Sequence, residues 1–307
     1  MLTVRTMEMS ERGEVAALIY NSTNAWYQKN RGFDAFADPA GGRQIVDTYE
    51  LLDPGCTLVV YDDEQKRLAG SCFYHPRPMH VSLGILNSHP DYAGQGGAMK
   101  LAARIAEIAA QQNKPLRLVS SAMNLDSFSV YSRLGFVPTE FFQDTILTVP
   151  SDGVAVPVPD GYQLRSAVLG DVDAMANLEM TVQGIDRRQD FRFFIENQQG
   201  IWTTTVLERL SDGKITGFLA AINNDGTTTA GPGCMLDAQS AVTLIANELN
   251  RTPGKSRIVI APSRFTAVVH FLYSLGAKNI ETHISQCKGE FIKPNGVVIP
   301  SFLPESA

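Results

Sequence analysis

Apolar residues along the first half of the chain follow the periods of alternating strands and helices. Runs rich in β-branched and aromatic residues predict strands, and the polar turn Asp62-Asp63-Glu64-Gln65 predicts that the first two of them pair. Apolar positions three and four residues apart predict helices. The predicted strands are Cys56–Tyr61, Leu68–Tyr74, Val81–Leu86 and Leu116–Ser121, and the predicted helices are Gly97–Gln112 and Leu125–Leu134. This mixed order predicts an α/β or α+β fold in which part of the sheet is antiparallel.

The pattern of the first half returns in the second. Val4-Arg5-Thr6 reappears as Leu164-Arg165-Ser166, and Leu134-Gly135-Phe136 reappears as Leu275-Gly276-Ala277, with about twenty residues fewer between these points. A Pro- and Gly-rich stretch without periodicity separates the two copies, as is typical of a linker. A chain of 307 residues also exceeds the usual size of a single core. The predicted organisation is a first domain at 1–148, a linker at 149–161 and a second domain at 162–307.

The start of each copy predicts a short strand that leads into a capped helix. Ser10 in the first copy and Gly170 in the second fit the N-cap position. An acidic residue follows in each first turn, where the positive end of the helix dipole favours it. The aromatic stretch from Tyr20 to Gly42 is predicted to be a loop.

Composition and charge narrow the class of protein. The net charge of −6 argues against a nucleic-acid binder, which normally carries a basic stripe. The chain does not open with a basic segment followed by an apolar run, and no apolar stretch approaches the about 20 residues that cross a bilayer. We therefore expect a cytoplasmic protein that has neither a nucleic acid nor a membrane as its partner.

The four cysteines are scattered along the chain. Cys56, Cys72, Cys234 and Cys287 form neither a Cys-x-x-Cys pair nor a cluster with histidine. This spacing argues against a zinc site and against a disulfide scaffold. We expect reduced, mostly buried thiols, with a catalytic cysteine as the less favoured alternative.

A glycine-rich turn between a strand and a helix carries the first chemical signal. Pro90 stops the strand, and Ala93-Gly94-Gln95-Gly96-Gly97 opens directly into the helix. Glycine lets a ligand approach the backbone closely, and the exposed N–H groups of a helix start converge on an anion. The turn predicts a phosphate or pyrophosphate cradle, with a tight structural connection as the alternative. No Gly-Lys-Ser/Thr follows, which excludes a Walker-type loop.

A second segment, Asn124 to Phe136, adds to this signal. Asn124, Ser127, Tyr131 and Gly135-Phe136 fall in the register Asn-x-x-small-x-x-x-Tyr-x-x-x-Gly-Phe. The two segments together resemble the GNAT superfamily of acyl-CoA N-acyltransferases, whose cofactor loop reads Arg/Gln-x-x-Gly-x-Gly/Ala. The resemblance covers about residues 2–148, and the second half resembles the degenerate C-terminal domain of tandem GNAT proteins. It implies two tandem GNAT-like domains, each a mixed, mainly antiparallel twisted sheet flanked by helices.

The resemblance implies roles for individual residues. The end of the strand would hold the pantetheine arm of acetyl-CoA, the amides of the loop would bind the pyrophosphate, and Asn124 would bond the pantetheine or acetyl region. The implied cofactor-binding residues are Leu86, Asn87, Ser88, Gly94, Gln95, Gly96, Gly97, Ala98 and Asn124. Tyr131 would be the catalytic general acid toward the departing thiolate, which suits a phenol of pKa about 10. No metal is implied.

The sequence departs from the family pattern in two ways. Ala93 stands where the family commonly has Arg or Gln, so we expect weaker binding of acetyl-CoA. The strand His80–Ser88 has no acidic residue to serve as general base. His75, His80, His89 and a water molecule all remain open as the base.

The second copy lacks the chemical signals of the first. Residues 229–241 contain no Gly-x-Gly turn before a helix, and alignment of the glycines places Phe265 where Asn124 stands and Leu272 where Tyr131 stands. Tyr273 is one position off and points about 100° away around the helix. We expect this half to complete the acceptor cleft or to support the first domain. In the family the zone of Trp26 and Tyr27 covers the acceptor site, with ordinary packing as the equal alternative.

These features predict an N-acetyltransferase that transfers an acetyl group from acetyl-CoA to a primary amine of a small molecule. The amine would attack directly in a ternary complex. The alternative is a non-catalytic acyl-CoA-binding or regulatory protein, which Ala93 and the missing strand carboxylate favour. The sequence leaves open the acceptor, the length of the acyl group, and whether the protein is a monomer or a homodimer.

Overall fold

A computed structural model describes residues 1–224, 228–301 and 303–305. In the first half the strands are β1 (Leu2–Thr6), β2 (Thr57–Asp62), β3 (Arg67–Pro76), β4 (Val81–Ser88), β5 (Leu116–Ser121) and β6 (Val137–Thr148). The helices of that half are α1 (Arg12–Arg31), α2 (Ala40–Leu52), α3 (Gly97–Gln111) and α4 (Leu125–Arg133). The predicted strands and helices therefore end within two residues of the observed ones.

The second half repeats this order of elements. Its strands are β7 (Tyr162–Ser166), β8 (Trp202–Arg209), β9 (Lys214–Ile222), β10 (Thr229–Met235), β11 (Ser256–Pro262), β12 (Lys278–Lys288) and β13 (Val297–Ile299). Its helices are α5 (Val172–Gln183), α6 (Arg188–Glu196), α7 (Ala238–Leu249) and α8 (Thr266–Ser274). The predicted fold of two tandem units, each with a mainly antiparallel sheet flanked by helices, is confirmed.

The local sequence explains where α3 lies. Its residues Leu101, Ala102, Ile105 and Ala109 are buried, and their spacing puts them on one face of the helix. That face packs against β2, β3 and β4. The N-terminus of α3 is thereby held at the end of β4, beside the glycine-rich turn.

In each half the two central parallel strands pair only at their start. In the first half β4 and β5 pair at Val81 opposite Leu116 and at Ser82 opposite Arg117. In the second half β10 and β11 likewise pair at two positions, the first of which is Thr229 opposite Ile258. Beyond these points the facing backbones are not bonded to each other, and a gap opens between the strands.

The last long strand of each half lies in the sheet of the other half. β12 pairs antiparallel with β5, and β6 pairs antiparallel with β11. β6 and β12 also pair with each other. Within the described residues the result is one sheet in the order β1-β2-β3-β4-β5-β12-β6-β11-β10-β9-β8-β7, with β13 on β10. The predicted domain boundaries stay a prediction, because the two halves share this sheet.

A repeated ion pair marks the start of each half. Arg5 lies 2.6 Å from a carboxylate oxygen of Glu11, and Arg165 lies 2.6 Å from one of Asp171. These positions correspond in the two copies of the repeat. The two pairs therefore confirm the internal repeat at the level of side-chain contacts.

Two local predictions are wrong. Ser10 and Gly170 are not helix N-caps, because each lies inside a 3-10 turn and Glu11 or Asp171 follows it directly before the α-helix. The segment from Tyr20 to Gly42 is not one loop, because α1 continues through Arg31. This stretch is poor in strong helix formers, and packing of α1 against α2 outweighs that weak propensity.

The two halves also meet through a buried network around Arg77. Its guanidinium donates to both carboxylate oxygens of Asp53 at 2.8 Å and to both of Asp190, from α6, at 2.6 Å. The Arg77 side chain is fully buried. Burial alone would raise the pKa of Asp53, but hydrogen bonds from His75 and Arg77 outweigh it and lower that pKa to about 2. The network stabilises the contact between the halves only while each of its buried charges has a counter-charge.

We expect Arg77→Met to destabilise the protein by about 3–5 kcal/mol, because it leaves Asp53 and Asp190 buried without a counter-charge. Urea unfolding measures the change. The control is Arg104→Met, which removes an exposed pair with Glu107 and should cost under about 1 kcal/mol. Equal effects of the two variants would contradict the role given to Arg77.

Acid should weaken the same network. The folded-state pKa of Asp53 is lowered, so its contribution is complete above the unfolded pKa of about 4 and is lost as pH falls toward 2. We expect up to about 2 kcal/mol of stability to disappear over this window. Urea unfolding at a series of pH values tests this. In Arg77→Met this loss should be smaller, because His75 alone still lowers the pKa of Asp53, and a loss of unchanged size would contradict the part assigned to Arg77.

Candidate functional site

A cavity of about 930 Å³ lies in the gap between β4 and β5. The strand ends, the glycine-rich turn and α4 form one side of it. Residues of α1 and of the loop after it form another side, and β6 and β12 add a third. Because β12 belongs to the second half of the chain, both halves line this cavity.

The glycine-rich turn presents unpaired backbone amides to the cavity. Gly94 and Gly96 have φ values of 76° and 83°, in the left-handed region, and a Cβ atom at either would meet no atom within 4 Å. No side chain caps the N-terminus of α3, so the amides of Gly97 and Ala98 have no partner within the helix. This combination of open space and free N–H groups suits an anion.

Two residues of the turn do not contribute in this way. The amide of Gln95 donates to the carbonyl of Tyr92 at 3.1 Å, so it is already used within the turn. Ala93 lines the cavity with a methyl group and supplies no charge. The cradle therefore consists of the other loop amides and the helix dipole.

The end of β4 lies along the gap. Leu86, Asn87 and Ser88 line the cavity, and no pairing with β5 extends this far. The buried Asn87 side chain donates from Nδ2 to Ser22 Oγ at 2.8 Å, whereas its Oδ1 has no hydrogen-bond partner. The strand thus offers free backbone groups and one unpaired buried acceptor to an extended ligand.

Helix α4 places Asn124 and Tyr131 beside the gap. Asn124 is the N-cap, and its Oδ1 accepts a hydrogen bond from the Ser127 amide at 3.1 Å. Tyr131 lines the cavity although it is only 5% exposed, and its ring packs edge-on against Phe136 at 5.7 Å. Burial raises the pKa of Tyr131 well above its usual value. The phenol therefore stays protonated at neutral pH.

The three histidines considered as bases lie away from this cavity. His75 is fully buried, its Nδ1 bonds the Asp53 carboxylate, and burial lowers its pKa. His80 is also fully buried, and His89 caps a 3-10 turn by accepting the Asp91 amide at 3.2 Å. Within the described part of the chain, the histidine that does line the cavity is His283.

The sequence did not reveal a group of polar residues on β6 and β12. Glu281 and His283 lie on β12 and Asp144 on β6, and all three line the cavity. His283 Nδ1 lies 2.9 Å from Asp144 Oδ1, and the Tyr27 hydroxyl donates to Glu281 Oε2 at 2.8 Å. The sequence signal for this group is the alternation of polar residues at positions 281 and 283. This alternation does not show which cavity the strand borders.

Aromatic side chains form the wall of the cavity opposite the strands. Trp26, Tyr27, Phe33 and Phe36 line it. The rings of Trp26 and Tyr27 lie 5.0 Å apart and those of Tyr27 and Phe33 lie 5.4 Å apart. Trp26, Tyr27 and Phe33 therefore pack on one another and also line the cavity, and a role of this zone in covering an acceptor stays a prediction.

The corresponding gap of the second half is closed. β13 pairs with β10 at Gly233 opposite Ile299 and continues to Met235, so it occupies the space between β10 and β11. A Cβ atom at Gly231 would lie 2.1 Å from the Pro300 carbonyl oxygen, which shows how tightly the segment fits. Asp237 caps α7 by accepting the Ser240 amide at 2.7 Å, and its carboxylate stands where a phosphate would have to bind.

Helices α4 and α8 confirm the alignment of the two copies. Each begins directly after the aligned residue, Asn124 or Phe265. Leu272, which is aligned with Tyr131, is fully buried. Tyr273 is 42% exposed and donates to Gln143 Oε1 at 2.7 Å, so it points away from the closed gap. The second half lacks a counterpart of the Tyr131 hydroxyl.

The thiols offer no activated nucleophile. The four cysteines are free, and Cys72, Cys234 and Cys287 are buried. Burial raises the pKa of all four thiols, whereas a reactive cysteine needs a lowered pKa. In the described part of the chain no group of three or more metal-binding side chains is found, and no helix is long and apolar enough to cross a membrane.

Residues 58–142 match the family model described as FR47-like protein, and no curated protein sequence matches the chain. A candidate acetyltransferase from Pyrococcus horikoshii is similar over 99% of this chain and 93% of its own, with a TM-score of 0.71 and 11% identity. A GCN5-related N-acetyltransferase from Sphaerobacter thermophilus is similar over 95% of this chain and 96% of its own, with a TM-score of 0.64 and 16% identity. A tandem GNAT protein from the clavulanic acid biosynthesis pathway is similar over 94% of this chain and 98% of its own, with a TM-score of 0.62 and 15% identity.

The similarities show the fold of the chain. The whole chain has the fold of a tandem GNAT protein, and the family match lies in the half whose gap is open. The predicted resemblance to the GNAT superfamily is therefore confirmed.

The role of the glycine-rich turn in anion binding can be tested by introducing a negative charge at the N-terminus of α3. We expect Ala98→Glu to weaken the binding of coenzyme A about 10- to 100-fold, because the new carboxylate repels the pyrophosphate and competes for the amides. The helix dipole favours an acid at this position, so folding should be unaffected. Isothermal titration measures the affinity, and Ala98→Gln is the neutral control of equal size. Unchanged binding in Ala98→Glu would place the pyrophosphate elsewhere.

Proposed function

We propose that this protein is an N-acetyltransferase that transfers an acetyl group from acetyl-CoA to a primary amine of a small molecule. One observation carries the proposal. The gap between β4 and β5 is open and has an uncapped helix N-terminus at one end and the protonated Tyr131 at its side, whereas the equivalent gap between β10 and β11 is filled by β13. The first half is thus the one that accommodates an extended anionic cofactor.

The residues around the gap fit acetyl-CoA. The free backbone of Leu86–Ser88 would hold the pantetheine arm as an added strand would be held, and Asn87 Oδ1 would accept a hydrogen bond from it. The amides of Gly94, Gly96, Gly97 and Ala98 would bind the pyrophosphate. The oxygen of Asn124 caps α4, which leaves its amide group to donate. Acetyl-CoA would supply an acetyl group activated as a thioester.

Tyr131 is the proposed general acid. Its hydroxyl makes no side-chain hydrogen bond to a described residue, lies on the cavity wall and keeps its proton because burial raises its pKa. It can therefore give that proton to a departing thiolate. A neutral amine must in turn lose a proton as it attacks, and the side chains on the wall that can accept it include His283, Glu281 and Asp144.

A purely binding role for acyl-CoA is less well supported. Ala93 weakens the cradle, as the sequence indicated. However, the Tyr131 hydroxyl lines the gap, keeps its proton and makes no side-chain hydrogen bond to a described residue, as a general acid requires. A proton donor at this place favours a chemical role.

We expect Tyr131→Phe to lower kcat about 100-fold, because the general acid is lost while the ring is kept. Release of free thiol from acetyl-CoA in the presence of an amine panel measures kcat. The control is Tyr273→Phe on α8, which removes an exposed hydroxyl outside the cavity and should leave kcat unchanged. The affinity for coenzyme A should be the same in both variants.

The same experiment can fail in two informative ways. If coenzyme A binds but no amine stimulates thiol release in the wild type, the protein is an acyl-CoA-binding protein and the enzymatic proposal is wrong. If amines stimulate release equally in wild type and in Tyr131→Phe, the transfer is real but its general acid is another group. In the wild type the raised pKa of Tyr131 predicts no loss of the acid form between pH 7 and about 10.

A further inference from the structure

Two buried carboxylates face each other across the strand pair that closes the cavity. Glu281 on β12 lies directly opposite Asp144 on β6, and the side chains are 7% and 5% exposed. The register shifts at Ile280, and a bulge of this kind re-aims the side chains that follow it. Directly opposed residues have Cβ atoms only about 5 Å apart, and like charges in this position are destabilising.

The side chains around this pair supply little positive charge. Glu281 Oε2 accepts from the Tyr27 hydroxyl, while Glu281 Oε1 is buried with no hydrogen-bond partner. Asp144 contacts His283. Arg31 is the basic residue on the same wall, but it donates to the Ile280 carbonyl at 2.6 Å and forms no ion pair with either carboxylate. A buried acceptor atom is therefore left facing an open cavity.

Several other buried carboxylates of this protein form ion pairs with arginine. Glu248 lies 2.9 Å from the fully buried Arg257, and Asp190 lies 2.6 Å from Arg77. The most telling comparison is Glu140, which the repeat aligns with Glu281 and which lies 2.9 Å from Arg264. Glu140 thus has a cationic partner beside the closed gap, whereas Glu281, beside the open gap, forms no ion pair with a described residue.

We propose that the ammonium group of the acceptor occupies this place, with Glu281 Oε1 as its main partner and Asp144 adding to the field. The acceptor class is a cationic amine without a carboxylate, because a carboxylate group would be repelled by the same two residues. The inference rests on the proposed function, whose acceptor it defines. The bound ammonium supplies the counter-charge that the protein itself lacks.

The walls of the cavity suit the rest of such a molecule. Trp26 and Phe33 pack on Tyr27, which bonds Glu281, and they line the same cavity as Phe36. Aromatic faces attract both alkyl chains and cations. An alkyl diamine or an arylalkylamine would place its charge at Glu281 and its apolar body against these rings.

The test compares two acceptors that differ by one carboxylate, 1,5-diaminopentane and lysine. We expect kcat/KM of the wild type for the diamine to exceed that for lysine at least tenfold. Glu281→Gln should lower kcat/KM for the diamine about 10- to 100-fold, mainly through KM, because it removes one charge-assisted hydrogen bond. Glu140→Gln, at the aligned position beside the closed gap, is the matched control and should leave the values for both amines unchanged.

Binding measurements separate this inference from the proposed function. Titration of 1,5-diaminopentane into the protein without acetyl-CoA should show binding that Glu281→Gln weakens to the same extent, while titration of coenzyme A should be unaffected. If the diamine binds through Glu281 but is never acetylated, the binding site stands and the proposed function fails. If amines are acetylated but lysine is preferred, or if Glu281→Gln behaves as wild type, the acceptor assignment is wrong.

A structural role of Glu281 predicts a different result. If the carboxylate served only to hold Tyr27, Glu281→Gln would lower the melting temperature of the protein without ligand. We expect the melting temperature to stay the same or to rise, because the substitution removes one of two opposed buried charges. A clear fall in the melting temperature, together with unchanged binding of the diamine, would overturn the proposal.

Discussion

The antiparallel pairing of β6 with β12 is the constraint on which the rest of the structure depends. It runs from Lys278 opposite Ile146 to Cys287 opposite Val137 and turns two sheets into one. Each strand follows the last helix of one half and completes the sheet of the other. Without it, β5 and β11 would be open edges whose backbone N–H and C=O groups lack partners. The stability of each half is therefore coupled to that of the other, and the Arg77 network adds to this coupling.

The same exchange builds the proposed site. β12 carries Glu281 and His283 from the second half to the gap between β4 and β5, and β6 brings Asp144 beside them. The proposed cofactor side of the cavity belongs to the first half alone, whereas the proposed acceptor side belongs to both. The second half is therefore part of the site although it has no cofactor gap of its own.

The two halves show how one scaffold keeps or loses a ligand site. In the second half β13 fills the gap, Asp237 caps the helix start and Leu272 replaces a tyrosine. Each of these changes lets the protein satisfy its own groups and so favours stability. At the open gap between β4 and β5 the loop amides, Asn87 Oδ1 and Glu281 Oε1 are left unsatisfied, which is costly unless a ligand pairs with them. The difference lies in the sites and not in the fold.

The sequence by itself determined the features that depend on neighbours along the chain. The periods of apolar residues located the strands and helices of the first half, and the positions of Gly96, Tyr131 and Gly135 located the turn and helix of the proposed cofactor site. Prediction from the sequence failed where tertiary packing outweighs helix propensity, as in the part of α1 beyond Tyr20, which was predicted to be a loop. Only the tertiary structure decided which strand borders which gap and which charges lack a partner. Tyr27 and Glu281 are separated by 254 positions and Asp144 and His283 by 139, and no local pattern encodes a contact made by pairing strands so far apart.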